Sequence, residues 1–472
     1  MRAPTRARVR TIIGWLLVGS APMVLGGCAT LRSTFSGYAT GDDGIARPQQ
    51  RLRDALSRGD FKSALGWRED DELLRRLDVG IASYYAAQFE RSAAVLDSAA
   101  LLADDRITAS LSKDALALVT SDLARPYQPR RTERLFIPYY AMLAYVRLGQ
   151  WEDAAVEARR LSSLLEQYAA DRDDSERALH GALHELAGAV FARAGEPGDA
   201  AVARRAARLL VPAYASDSGA GRRPAPDTAD GDVLLVVERG YVAHRVTETL
   251  ELDLGTEDGD PARDHDGGWH GASRAQATST TSLVVPSYAG RSHRHDADDD
   301  DGYHLTIAFP ALRSSVRRWG GAVRAATDAD TLGRIGVTAL VDDATAADER
   351  RERRAIVARA AARAAAKYAV VKAVRDRKGE LAGTLANLGA ALTERADVRS
   401  WHLLPGEVTL VRLTVPAGTQ RVRLRIGEGS RAWTVESGTV QVRAGSVSIV
   451  PVRLWQAPSA PVAPADSPQP SP

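Results

Sequence analysis

From about residue 51 to residue 214, apolar positions recur three and four apart, mostly as alanine and leucine, with few prolines. That period gathers them on one face of a helix, so the first half of the chain is predicted to be α-helical. From about residue 232 the period falls to two. Val233–Val237, Thr249–Leu254, His304–Pro310, 335–341, Val408–Val415, Gln420–Ile426, Ala432–Val435, Thr439–Arg443 and Val447–Leu454 alternate or run apolar, as strands do. Pro416-Ala417-Gly418, Gly427-Glu428-Gly429, Ser437-Gly438 and Ala444-Gly445 supply turns between the last five. One long helix, Ala347–Lys378, interrupts the strands. The pattern predicts a multidomain α + β chain: a helical solenoid over 51–214, then a mixed β/α domain over 232–455 that ends in an antiparallel meander or sandwich at about 407–455. The Gly/Pro/Ala/Asp-rich stretch 215–231 reads as a linker. The polar stretch 255–302 reads as a weakly ordered insertion, and the Pro/Ala/Ser-rich 456–472 as a disordered tail.

The helical half repeats itself. Four helix-turn-helix junctions align: Gly59 with Phe61 and Ala64; Ala87 with Phe89 and Ser92; Gly149 with Trp151 and Ala154; and Gly195 with Pro197 and Ala200. Each has a small residue that ends one helix, a bulky residue two places on (an aromatic in the first three), and a small residue three further that lets two helices touch. This resembles the tetratricopeptide repeat (TPR). Gly80, Tyr145, Gly188 and Phe191 fall on packing sites of its first helix, and Leu96, Ala99, Ala158 and Leu161 on those of its second. The junctions are 28, 62 and 46 residues apart, so the array is degenerate, with an insertion around 103–135. Such stacks present concave surfaces that hold peptides or proteins.

The amino terminus has a different character. Arg2, Arg6, Arg8 and Arg10 precede about fifteen mostly apolar residues and a small-residue exit, the layout of a secretory signal. The apolar run is too short to span a bilayer as a helix. Leu25-Gly26-Gly27-Cys28 follows and resembles a bacterial lipobox, in which the cysteine thiol receives a diacylglyceryl group. Cys28 is the chain's single cysteine, so no intramolecular disulfide forms. Ala29 follows it, where lipoproteins kept in the inner membrane usually carry Asp, so the resemblance implies an outer-membrane, periplasm-facing address. The glycine-bearing polar stretch to residue 50 reads as a tether.

Composition narrows the functions. The whole chain has a formal net charge of +2, but residues 1–27 hold four arginines and no acid, so the remainder carries −2. A general nucleic-acid binder is excluded on that ground. No G-x-S-x-G, G-x-x-x-x-G-K or H-E-x-x-H occurs, and no cysteine remains to act as a nucleophile, so no enzyme and no cofactor are expected. His180 and His184 stand one helical turn apart without a third ligand, and in the repeat register His184 takes a packing position. The Asp/His run His293–Gly302 fits no EF-hand register. On the long helix, Arg359, Arg363 and Lys367 form a basic stripe beside Ile356, Ala360, Ala364 and Tyr368. It reads either as a face for anionic envelope partners or as arginines in water above a packed apolar face.

Several segments together resemble one uncharacterised family of bacterial repeat-containing outer-membrane lipoproteins. These are GDFKSAL with VGIASYY, RRTERLFIPYYAMLAYVRLGQWEDAAVEARRL, the run Ile356–Tyr368, and ADVRSWHLLPGEVTLVRLTVPAGT. The carboxy-terminal wording also resembles PEGA-type β modules. Asp397, Arg399 and Trp401 of the ADVRSW segment read either as a partner-binding spot or as a plug at the helix–sheet junction, with Asp397 paired to Arg399. The expected function is a lipid-anchored, non-catalytic envelope scaffold that binds protein partners through its repeats. The alternative is an envelope protein that binds peptidoglycan or lipopolysaccharide.

Overall fold

The computed structural model describes residues 45–110, 125–216, 230–254, 303–314, 321–327, 334–378, 396–428 and 432–456. The lipobox Leu25–Cys28 and the 255–302 insertion lie outside these residues. The described residues fall into two units that meet at Arg51 and Leu52. In the first, residues 47–51 open helix α1 (Arg47–Ser57). The second carries α2 (Phe61–Leu65), α3 (Glu72–Tyr85), α4 (Phe89–Ser110), α5 (Arg131–Leu148), α6 (Trp151–Gln167), α7 (Arg177–Ala194) and α8 (Pro197–Leu210). Strands β1 (Asp230–Arg239), β2 (His244–Leu254), β3 (Tyr303–Arg313), β4 (Val323–Thr327), β5 (Arg334–Ile335) and β6 (Val337–Leu340) follow. Helix α9 (Val341–Lys378) precedes β7 (Glu407–Pro416), β8 (Gly418–Ile426), β9 (Trp433–Val442) and β10 (Val447–Leu454). Helices thus come first and sheets second. Among the described residues no helix is long and apolar enough to cross a membrane.

All four junctions close in one way. Gly59, Ala87, Gly149 and Gly195 have left-handed backbones, with φ of 73°, 58°, 74° and 85°. At each, the junction N–H bonds the carbonyl three residues back and the next N–H bonds the carbonyl five back, as in Gly149 to Val146 and Gln150 to Tyr145. This is the Schellman closure, which satisfies the orphan carbonyls at a helix end. The small residues that follow, Ala64, Ser92, Ala154 and Ala200, are all buried. Ser92 donates to Gly80 O at 2.8 Å, and a Cβ on Gly80 would lie 2.6 Å from Leu96 Cδ2, so the absent side chain lets α3 and α4 touch. Neighbouring pairs are joined by arginine over aromatic: Arg147 sits 4.8 Å from the Phe89 ring and Arg193 sits 4.6 Å from the Trp151 ring. Tyr145 adds a hydrogen bond to Asp97 at 3.1 Å, and Phe191 is buried.

The strands form two four-stranded sheets and one ribbon. The orders are β10-β1-β7-β6 and β5-β4-β8-β9, with β2 and β3 paired antiparallel. The first two sheets face each other. Val233, Leu235 and Val237 of β1 and Val411, Leu413 and Val415 of β7 share a core with Val323, Ala325, Val422, Leu424, Ile426, Val440 and Val442 of the second sheet. The opposite face of β1, Leu234 and Val236, joins the core of the helices.

Residues 407–455 do not form the separate meander or sandwich expected of them, because their strands are shared between two sheets completed by β1, β4, β5 and β6. β7 lies in one sheet and β8–β9 in the other, and β10 pairs parallel with β1, Asp232 opposite Val447. The runs Ala432–Val435 and Thr439–Arg443 are one strand, β9, with Gly438 at φ 89° beside an irregular register. α9 begins at Val341, six residues before the predicted start, with Asp342 and Asp343 in its first turn where the helix dipole favours them.

α9 is docked by its charges. Asp348 accepts the Thr132 N–H of α5 at 2.8 Å and pairs with Arg351, which also holds Glu176 at 2.9 Å. The expected solvated stripe is not what forms. Ile356 and Ala360 do pack, but Arg363 is buried at 3 % exposure and Arg359 is half-buried, both engaged within the chain. The Lys367 side chain lies outside the described set.

Two outcomes follow from this packing. Ala87 holds a left-handed conformation that costs an L-residue about 1–2 kcal/mol, so Ala87→Gly should stabilise the protein by up to about that amount in chemical denaturation. An unchanged midpoint would refute the strain. Burial raises the Asp348 pKa to about 6, against donation from Thr132 and the pull of Arg351. Its neutral form suits the fold, so its contribution is whole below about pH 4 and is lost as pH rises through about 6. The unfolding free energy of Asp348→Asn should therefore gain on that of wild type between pH 4 and 7, by about 3 kcal/mol, in chemical denaturation at each pH. A pH-independent difference would contradict this.

Candidate functional site

The helices of the array divide into two kinds by burial. α5 is buried without a break from Leu135 to Ala144, and α7 from Leu179 to Phe191. α6 and α8 bury one stripe each, Ala154, Ala155, Glu157, Ala158, Leu161 and Leu165 in one and Ala200, Ala203 and Ala207 in the other. α7 is therefore covered on both sides, by its neighbouring helices on one and by the β10-β1-β7-β6 sheet on the other, and α5 reaches the same sheet through Tyr139. α7 packs against β6, β7 and β10.

Charged groups stitch that helix–sheet boundary. Glu238 of β1 accepts from Tyr85 of α3 at 2.5 Å and from Tyr139 of α5 at 2.9 Å. Tyr85 shares a further hydrogen bond with Tyr140 at 3.1 Å. Burial, and then the Glu238 charge, push the Tyr85 phenol well above its ordinary range, so it stays a donor. Arg453 of β10 lies over Trp455 at 4.4 Å and donates to Gly240 O at 2.6 Å. Arg53 donates to His402 O at 2.6 Å and to Val242 O at 3.3 Å, tying α1 to the segment before β7.

The ADVRSW segment runs through this boundary. Asp397 and Arg399 form a bidentate pair, at 2.9 and 2.8 Å, and Arg399 also donates to Arg125 O at 2.8 Å. The Trp401 N–H donates to Glu133 Oε1 at 2.7 Å, and its ring, fully buried, stands 6.3 Å from that of Tyr140. A surface hot spot at Trp401 does not fit complete burial, whereas a plug between helices and sheet does. His180 and His184 are packed: Arg172 Nε donates to His180 Nδ1 at 2.9 Å, and burial lowers the two pKa values to about 3 and about 4. Both imidazoles are neutral. Among the described residues no group of three or more His, Cys, Asp or Glu side chains is placed to hold a metal.

At the end of the array the boundary opens into a small cleft. It is lined by Glu185 of α7, Arg204 and Arg208 of α8, Tyr214 just beyond, and Leu234, Leu410 and Arg412 of the sheet. Arg412, buried on β7, holds Glu185 at 2.6 Å and Asp232 at 3.0 Å, and Thr414 donates to the other Asp232 oxygen at 2.8 Å. Arg204 lies against α7 where Gly188 has no side chain; a Cβ there would come within 2.9 Å of Arg204 Cγ. Burial, and then the charge of Arg412, lower the Arg204 pKa. No hydrogen bond or ion pair involves the Arg204 or Arg208 side chain among the described residues, and Arg208 Nε is buried without an acceptor. The repeat reading placed Gly188 on a packing site but gave no hint of this cleft, because Arg412 comes from a strand more than two hundred residues further on.

No family model matches the chain, and neither a curated protein nor a solved structure does.

The ion-pair chain sets a stability outcome. Arg412→Met leaves Glu185 and Asp232 buried without their cation and should cost about 3–5 kcal/mol in chemical denaturation. Adding Glu185→Gln should recover part of the loss. No recovery would mean that the guanidinium acts through packing alone.

Proposed function

We propose that this chain is a lipid-anchored, non-catalytic protein of the bacterial cell envelope, attached to the outer membrane through Cys28 and facing the periplasm. Its helical array is a degenerate TPR-like repeat that holds protein partners. The observation that carries the anchor is the order of residues 1–28: a basic start, a short apolar run, Leu25-Gly26-Gly27, and the chain's single cysteine. Two or more acyl chains give stable membrane attachment, since each buried methylene contributes about 0.8 kcal/mol. The common closure at Gly59, Ala87, Gly149 and Gly195 and the Arg147–Phe89 and Arg193–Trp151 contacts support the repeat reading.

The geometry moves the partner surface away from where such repeats usually hold a ligand. α7 is covered by the chain's own sheet and α5 is buried along most of its length, so partner contacts fall to the outward side of α4, α6 and α8. Leu101, Val156, Val202 and Leu209 are exposed there. The glycan- or lipid-binding alternative loses support, because the arginines on which it was drawn are the buried Arg363 and the half-buried Arg359.

Envelope fractionation with metabolic palmitate labelling tests the anchor. Wild type should be labelled and sediment with the outer membrane, and Cys28→Ser should be unlabelled and released. Equal fractionation without label would remove the anchor. Crosslinked capture from envelope extracts should then recover protein partners; recovery no better than with a control lipoprotein would remove the scaffold role.

A further inference from the structure

We propose that the outer face of the β5-β4-β8-β9 sheet is a docking surface for anionic phospholipid headgroups, which lays the sandwich against the membrane. Strand parity sorts its residues. Val422, Leu424 and Ile426 of β8 point into the core between the sheets. Arg421, Arg423 and Arg425 alternate with them and point outward. Register sets Arg324 of β4 opposite Arg425, and Glu436 of β9 opposite Arg423. Arg421 and Arg425 are exposed, and Arg324 and Arg423 are half-buried. Arg423 and Arg425 are also engaged within the chain. Among the described residues of β4, β8 and β9, the outer face thus sets four arginines against one acid, a surplus of three positive charges. The chain beyond residue 27 carries −2 as a whole, so this is a local concentration.

The placement of Arg324 beside Arg425 works against the sheet, since like charges directly opposite on neighbouring strands destabilise it. Along β8 the arginines recur about every 7 Å, and Arg324 stands about 5 Å to the side. Short side chains, Ala326, Thr434 and Thr439, stand between them, so the guanidinium groups reach furthest from the sheet. A plane of headgroup phosphates meets such points together, and each contributes about 1 kcal/mol at an anionic bilayer. Ile335, opposite Arg324 at the β5 edge and 50 % exposed, adds an apolar tip at the rim. Peptides are held along sheet edges or in grooves, whereas these arginines occupy the middle of a sheet face. They are not the arginines of α9, which pack within the fold. The proposal takes its membrane from the anchor reading, but its test does not depend on Cys28.

That test uses the full chain with Cys28→Ser and Thr434→Cys, which puts a thiol-coupled fluorophore beside Arg425. Phosphatidylcholine vesicles with a headgroup-bound quencher, with or without phosphatidylglycerol, are titrated in at about 0.1 M salt. Phosphatidylglycerol vesicles should quench the label and neutral ones should not, and about 0.5 M salt should reverse the quenching. Arg421→Gln/Arg425→Gln should need at least about tenfold more lipid for half-quenching. If that variant melts early, Arg421→Gln alone carries the comparison, at about fivefold. Glu436→Gln, which removes the acid of the face, should need about fivefold less lipid, a gain that misfolding does not mimic. Equal quenching by neutral vesicles, no response to these substitutions, or equal quenching of a label at Val202→Cys on α8 would overturn the proposal. So would tighter binding to purified peptidoglycan sacculi than to vesicles, lost in the same variants.

Discussion

Everything in the fold from Leu52 onward hangs on one sheet being buried on both faces. β1 shows it most plainly. Its odd positions, Val233, Leu235 and Val237, meet the second sheet, and its even positions, Leu234 and Val236, meet the helices. A strand with no wet face cannot alternate, so it reads as an unbroken apolar run. Helices and sandwich therefore share a wall. The inner helices α5 and α7, in contact with neighbours all round, pay for no solvated face and lose their amphipathic stripe.

Charge sets the register of that wall. Glu238 with two tyrosines, Arg412 with Glu185 and Asp232, and Arg239 with Glu407 across the β1–β7 pair are all buried or nearly so. Buried pairs of this kind add little net stability over apolar residues of equal volume, but any shift of helices along the sheet strands their charges. Each admits one alignment. The ADVRSW plug works likewise, since Glu133 caps the start of α5 through Arg130 N and also accepts from Trp401 N.

The chain's local features were legible where the cause was local. Left-handed junctions need a small residue, and the four that the sequence marks are the four that turn. β7 and β8, each followed by a turn signal, lie within a few residues of their predicted limits. β4 went unread because Val323-Arg324-Ala325-Ala326-Thr327 has one bulky apolar side chain, and pairing with β8 makes it a strand. Which strands share a sheet was not legible either: β1 finds β10 some two hundred residues away, and no turn connects them. The basic stripe on α9 misled for a related reason, since its arginines belong to a helix whose flank other parts of the chain cover. The Arg204–Arg412 cleft joins a helix to a distant strand and left no spacing to find.

The parallel pairing of β1 with β10 also orders events in time. The sheet that covers the inner helices has an edge strand ending at Leu454, almost the last described residue. As the chain emerges from the ribosome, the array of α3 to α8 can form early from contacts between neighbouring helices, but β10 is made last. Until then Tyr85 lacks the Trp455 ring that lies against it and β1 lacks a neighbour on one edge. A chain cut short before residue 447 would leave the β1 edge of that sheet with unpaired N–H and C=O groups, a template on which a second chain could pair.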